Sequence, residues 1–195
     1  GSPTQIGLVR VKNGKEMGRL NLFMNPEEPL GEWSLKNLKD ADGKPISNEW
    51  LATQMPMSEA HKQVAEFIGP DAIIGVQNAT FDKNVLDDAL AKSGIDWRPS
   101  GYLDTRDISA MTLPVWSEEN QDAPYALDRD GNKQPSSSLA SITEYLGVEL
   151  GEGHHNADAD AFATSQVMQK IIDGAIENGW STDVLDKEKR DAKLK

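Results

Sequence analysis

Hydrophobic and polar positions alternate over Gln5-Ile-Gly-Leu-Val-Arg-Val11, the two-residue period of a half-buried strand. Lys12-Asn13-Gly14-Lys15 follows. Asn-Gly is the strongest two-residue hairpin signal, because both turn positions need positive φ. Glu16 to Met24 therefore reads as the return strand. Between Asn25 and Gln54 the pattern dissolves into Pro, Gly and Asn, which predicts mostly irregular chain. Helical spacing returns at Ser58: Ala60, Val64, Phe67 and Ile68 share one face, and Gly69-Pro70 stops the helix. Asp71-Ala-Ile-Ile-Gly-Val76 is a short apolar run between breakers and predicts a buried strand. Asn84 to Ser93 predicts a helix with Val85, Leu86, Ala89 and Leu90 inward. Gly101-Tyr-Leu103 predicts another buried strand, and Thr105 to Met111 a short helix. Trp116 to Ser137 is polar and reads as a long loop. Ser138 to Leu146 predicts a helix closed by Gly147. Ala157 to Ile176 predicts the longest helix, with Ala161, Val167, Met168, Ile171, Ile172 and Ala175 at 3.6-residue spacing. A hairpin followed by strands alternating with helices reads as an α/β sheet layered with helices.

Composition narrows the function. The 195 residues suit one domain, or a domain with a tail, and 37% hydrophobic residues supply a core. Lys plus Arg is 20 against 32 Asp plus Glu, a formal charge of −12. That balance argues against a binder that coats nucleic acid by neutralising many phosphates. It leaves room for an enzyme that grips a few nucleotides through metal ions. The absence of Cys excludes disulfides, Cys-ligated zinc, iron–sulfur clusters and thiol catalysis. No apolar run approaches the roughly 18 residues of a membrane span, and the N-terminus lacks a secretory profile. A cytoplasmic protein without a membrane partner is the expectation. Residues 179–195 form a charged tail that we expect to be solvated.

Two stretches carry candidate chemistry. In His154-His-Asn-Ala-Asp-Ala-Asp-Ala161, His155 precedes a helix whose first turn holds Asp160. That spacing can set an imidazole beside a carboxylate-held metal, where it takes a proton from water. The bland alternative is that Asp158 and Asp160 simply favour a helix N-terminus. In Ile73-Ile-Gly-Val-Gln-Asn-Ala-Thr-Phe-Asp82 a strand ends and an Asp follows in the turn to a helix. Ligands bind at such strand ends in open α/β sheets. The alternative there is that Asn78 and Asp82 cap the helix and Phe81 packs in the core.

Together these motifs resemble a known family. Asn78-Ala-Thr-Phe-Asp82, Leu103-Asp-Thr105, Ser138-Leu139 through Tyr145-Leu-Gly147, and His155-x-Ala157-x-x-Asp160-Ala161 stand in the order of the DnaQ-like 3′→5′ exonucleases. The likeness is to the DEDDh branch, which has His in its third motif, and it covers about Gln5 to Ile176. It implies a ribonuclease-H-like mixed sheet flanked by helices over residues 1–178, with Gln5 to Val11 as the second strand of that fold. It also implies two divalent ions, Mg²⁺ or Mn²⁺, with Asp160 and Asp82 at metal-ligand positions and His155 at the general-base position. Asn78 and Phe81 match positions near the terminal nucleotide. The implied substrate is the 3′ end of single-stranded DNA or RNA, and a proofreading role beside a DNA polymerase follows by analogy.

The chain departs from the pattern in two places. The family's Asp-x-Glu motif belongs on the strand before Gln5 and is absent; Asp186-Lys-Glu188 lies in the charged tail and does not replace it. Gln77 stands where many relatives have His. Gly1-Ser2 matches residues that tag removal leaves, so we expect an active enzyme whose first strand lies upstream of Gly1. A binding module that naturally lacks the motif, and another metal-dependent phosphoesterase, stand as rivals. Asp128-Arg-Asp-Gly-Asn132 reads as a surface turn, with Gly131 misplaced for a calcium loop. Of five scattered Trp, Trp116 is the best placed to stack on a base.

Overall fold

Asn13 and Gly14 take left-handed φ values of 53° and 72°, as a two-residue hairpin turn requires. They join β1 (Gln5–Lys12) to β2 (Lys15–Asn25) in antiparallel register, with Gln5 opposite Phe23 and an irregularity between Arg10 and Val11. These features come from a computed structural model. It describes residues 3–26, 28–36, 38–40, 42–96, 99–149 and 156–177, apart from the side chains of Phe81 and Ala175. The charged tail and His155 therefore lie outside the described residues. The chain divides into two units.

Unit 1 comprises Gly1–Ile74, Ala79–Tyr102 and Gly151–Phe162. Its strands pair in a mixed sense, because β2 also runs parallel to β3 (Met55–Pro56), with Met24 opposite Met55. The expected irregular stretch contains two five-residue helices, α1 (Glu32–Lys36) and α2 (Asn48–Ala52). Each is too short to show a period. Ser47 starts α2 by accepting a bond from Trp50 N at 3.2 Å. The helix expected from Ser58 to Ile68 is present as α3 (Met57–Ile68), which buries Ala60, His61 and Val64 and stops at Gly69, φ 75°. Met24, Leu51, Ala60, Val64, Ala89 and Leu90 are buried in this unit. Ala89 and Leu90 come from α4 (Ala79–Lys92), which begins five residues before the expected start at Asn84. His61 Nδ1 lies 2.6 Å from Ser93 Oγ, one residue past the end of α4.

β4 (Ile73–Val76) and β5 (Gly101–Asp104) pair with each other. Both were expected to be buried, and that expectation is corrected. Ile73 is 62% exposed, Val76 alone is buried in β4, and Asp104 alone in β5. An apolar run reports strand propensity, whereas the covering of each face is decided by tertiary packing.

Unit 2 comprises Gly75–Asn78, Leu103–Leu150 and Ala163–Lys195. Its core is Ile108, Leu113, Ile142, Val167 and Ile171. These come from α5 (Thr105–Thr112) and the residue after it, α6 (Leu139–Leu146) and α7 (Ala157–Glu177). The Ser138 side chain accepts from Ser141 N at the start of α6, and Gly147 ends it at a left-handed φ of 60°. The stretch expected as a long loop holds a short antiparallel hairpin, β6 (Tyr125–Leu127) and β7 (Lys133–Pro135). Asp128 Oδ1 accepts from Asp130 N and Asn132 N at 2.9 and 2.8 Å, so the segment is the expected surface turn. Those amides, Asn132 foremost, hold its carboxyl below the usual carboxylate range. A Cβ on Gly75 would meet Met168 Sδ and Cε at 2.7 Å. Among the described residues, no helix is long and apolar enough to cross a membrane.

Candidate active site

Asn156 precedes α7 and acts as its N-cap. Its Oδ1 accepts from Asp158 N at 3.1 Å, and its carbonyl accepts from Asp160 N at 3.0 Å. Asp158 and Asp160 thus fall in the first helical turn, where the exposed backbone N–H dipoles favour negative charge. The strand β1 runs against this end of the helix. A Cβ on Gly7 would overlap the backbone of Ala157 and Asp158, so only glycine permits the approach. Gln5 reaches across the same junction to Asn156 and Asn21. Arg19 lies on the flank, with its guanidinium 4.2 Å from the Phe162 ring centroid and 3.9 Å from Asp158 Oδ2. Arg19 also binds Glu16 at 2.7 and 2.9 Å, and that bond holds the Glu16 carboxyl below its usual value.

Asp82 occupies the first turn of α4 and is half-buried, as is Asp160. Both belong to unit 1. Two carboxylates are hard oxygen donors and fit Mg²⁺ or Mn²⁺ in kind. Among the described residues they do not form part of a group of three His, Cys, Asp or Glu side chains able to hold a metal. Phe81 lies on α4, with its side chain outside the described set.

Asn78 belongs to unit 2, where a second polar cluster surrounds it. Its φ is 75°, a left-handed conformation that Asn adopts more readily than most residues. Asn78 N donates to Asp104 Oδ1 at 3.0 Å. The same oxygen accepts from Arg106 N at 2.9 Å and so caps α5. Buried Thr105 places its hydroxyl 3.1 Å from the Val76 carbonyl and beside Gln77 Oε1. Gln77 Nε2 donates to the Ser137 carbonyl at 2.9 Å. Gln77, Asn78, Arg106 and Ser136 to Leu139 line a cavity of about 480 Å³.

Two residues that shape these clusters, Gln5 and Asp104, carried no role in the sequence reading. Asp104 had a local signal, a carboxylate directly before a helix. Gln5 had none, because its partner lies 151 residues away. Trp116 is half-buried with its indole Nε1 buried, which sets it apart from an open stacking platform.

The family profile described as Exonuclease, of the RNase T type, matches residues 1–168. DNA polymerase III PolC-type from Latilactobacillus sakei is 25% identical over 174 residues, which is 89% of this chain and 10% of that protein. The Staphylococcus saprophyticus PolC-type polymerase is 27% identical over 168 residues, 86% of this chain and 10% of that protein. The chain thus spans about 10% of the length of these relatives. The structure of Exonuclease X in complex with 5′ overhanging duplex DNA superposes with a TM-score of 0.60 at 16% identity. The superposition covers 94% of this chain and 88% of that one, and establishes the ribonuclease-H-like fold. With its motifs in order and the profile spanning most of its length, the chain belongs to the RNase T/DnaQ-like exonuclease family.

Proposed function

We propose that residues 1–178 form a 3′→5′ exonuclease domain, with 179–195 as its charged tail. The observation that carries this reading is the pair of first-turn carboxylates, Asp82 on α4 and Asp160 on α7, in a chain of this family. The reaction is hydrolysis of the terminal phosphodiester. Water oxygen bonds to phosphorus, the P–O3′ bond breaks, the 3′-oxygen of the shortened strand takes up a proton, and a nucleoside 5′-monophosphate is released. His155 is the general base, since a neutral imidazole near pH 7 accepts the proton that the water releases. Asp82 and Asp160 would hold Mg²⁺ or Mn²⁺, whose charge would polarise the phosphodiester and lower the pKa of water. Asn78 and Phe81 contact the terminal nucleotide. Single-stranded DNA is the substrate and RNA the competing outcome, with a DNA polymerase as partner and proofreading in the cytoplasm as the role. A binding module of the same fold is the second reading.

The test uses a 5′-labelled single-stranded oligonucleotide with Mn²⁺ or Mg²⁺, an EDTA control and the Asp160→Ala variant. A metal-dependent ladder shortening from the 3′ end, lost in Asp160→Ala, supports the exonuclease. If this chain is silent and a chain extended upstream through an Asp-x-Glu strand is active, the domain needs that strand. Silence in both, with retained oligonucleotide binding, makes it a binding module. Unchanged cleavage by Asp160→Ala overturns the site assignment.

A further inference from the structure

We infer that Gln5 is a positioning residue for Asp160: its carboxamide fixes the cap of α7, and through it the aim of the helix's first turn. The inference rests on the reading of Asp160 as a metal ligand. A glutamine carboxamide offers two N–H donors and an acceptor oxygen. Gln5 Nε2 donates to Asn156 Oδ1 at 2.9 Å and to Asn21 Oδ1 on β2 at 3.0 Å. Gln5 Oε1 faces Ala157 N at 3.5 Å. One side chain therefore ties β1, β2 and the start of α7 together.

The tie reaches Asp160 in one step. Asn156 Oδ1 accepts from both Gln5 Nε2 and Asp158 N, so both lone pairs of that oxygen are committed. The Asn156 carbonyl accepts from Asp160 N. Rotation of the Asn156 side chain would break the cap, and Gln5 blocks that rotation. Gly7, two residues along β1, lets the helix end lie directly against the strand. Gly7 sets how close the helix comes, and Gln5 sets how its first turn is oriented. A carboxylate ligand displaced by a fraction of an ångström binds its ion more weakly. Outer residues that orient ligands typically contribute about 10- to 100-fold in metal affinity. A purely structural cap predicts something different: lower stability with an unchanged metal midpoint.

The experiment titrates the whole chain with Mn²⁺ and reads free Mn²⁺ by electron paramagnetic resonance. Amide exchange of Asp158 and Asp160 is followed in the metal-free protein. Gln5→Met keeps length and removes every bond; it should raise the Mn²⁺ midpoint about 10-fold or more and speed exchange at both amides. Asn156→Asp keeps the acceptor for Gln5 and for Asp158 N, and should hold the wild-type exchange pattern. Asn156→Ala should match Gln5→Met, and the two changes together should add little to either alone. Asn21→Ala removes one Gln5 partner, should give a smaller shift, and serves if Gln5→Met does not fold. Unshifted midpoints in Gln5→Met and Asn21→Ala, with binding lost in Asp160→Ala, overturn the inference and leave the metal reading intact. If Asp160→Ala binds Mn²⁺ as the wild type does, or neither this chain nor one extended upstream through an Asp-x-Glu strand binds any, the metal reading falls and this inference with it.

Discussion

In unit 2 the helices α5 and α6 begin on side chains directly before them, Asp104 and Ser138, and both bury apolar residues in one shared core. In unit 1 the first turn of α7 also begins on an adjacent side chain, Asn156. That cap is itself held by Gln5, 151 residues earlier in the chain. A local cap over an apolar core survives changes elsewhere. A cap held by a distant amide depends on partners that no local propensity secures. The candidate metal ligand Asp160 sits on the second kind of support.

Four substitutions sharpen this contrast. Ile142→Ala opens a void in the unit 2 core and should cost about 2–5 kcal/mol of stability, read by chemical denaturation. The residual folded protein should show wild-type amide exchange at Asp158 and Asp160. An altered pattern there would break the distinction between the two supports. Gly7→Ala forces a Cβ into the backbone of Ala157 and Asp158 and should cost about 1–3 kcal/mol. It should also weaken the response to Mn²⁺, because the helix end must move; a variant with wild-type stability and metal midpoint would refute the close approach. Asp104→Ala removes the α5 cap and the acceptor for Asn78 N, at about 1 kcal/mol. Asp104→Asn, which keeps an acceptor oxygen, should recover most of it in the same thermal melts.

The smallest effect is expected at His61. Burial pushes its pKa below the ordinary value, opposed in part by the Ala89 carbonyl. Below pH of about 6.5 the unfolded chain takes up a proton that the folded chain resists. The stability contributed by neutral His61 is therefore present above that pH and falls as pH drops toward the folded-state pKa. Denaturation midpoints measured from pH 7.5 to 5 should show this decline, and His61→Gln should flatten it. Equal slopes in the two proteins would remove His61 as the cause.

Much of the fold is written locally. Asn13-Gly14 announces its hairpin, Ser138 and Gly147 bracket α6, and the 3.6-residue apolar spacing marks α7. The early start of α4 is different. Asn78 holds a left-handed φ while its N–H is bound by Asp104, and no pattern within residues 79–84 encodes that bond. The β6–β7 hairpin carries no periodic signal because its strands are three residues each, too short to alternate. Asp160 is readable as a first-turn acid, whereas Asp82 reads as lying in the turn before a helix and falls instead within the first turn of α4. The clamp that orders Asp160 was not, since a Gln at the start of a strand looks like any polar edge residue.

Gly75 carries a separate consequence. Its missing Cβ leaves space that the thioether of Met168 fills, with Sδ 2.7 Å from where a Cβ would stand. Peroxide converts such a thioether into a larger, polar and chiral sulfoxide. The strand backbone leaves that added oxygen no room on this side. Oxidative damage in unit 2 should therefore be felt at the end of β4, two residues from Gln77, before it is felt at the all-aliphatic centre of the core.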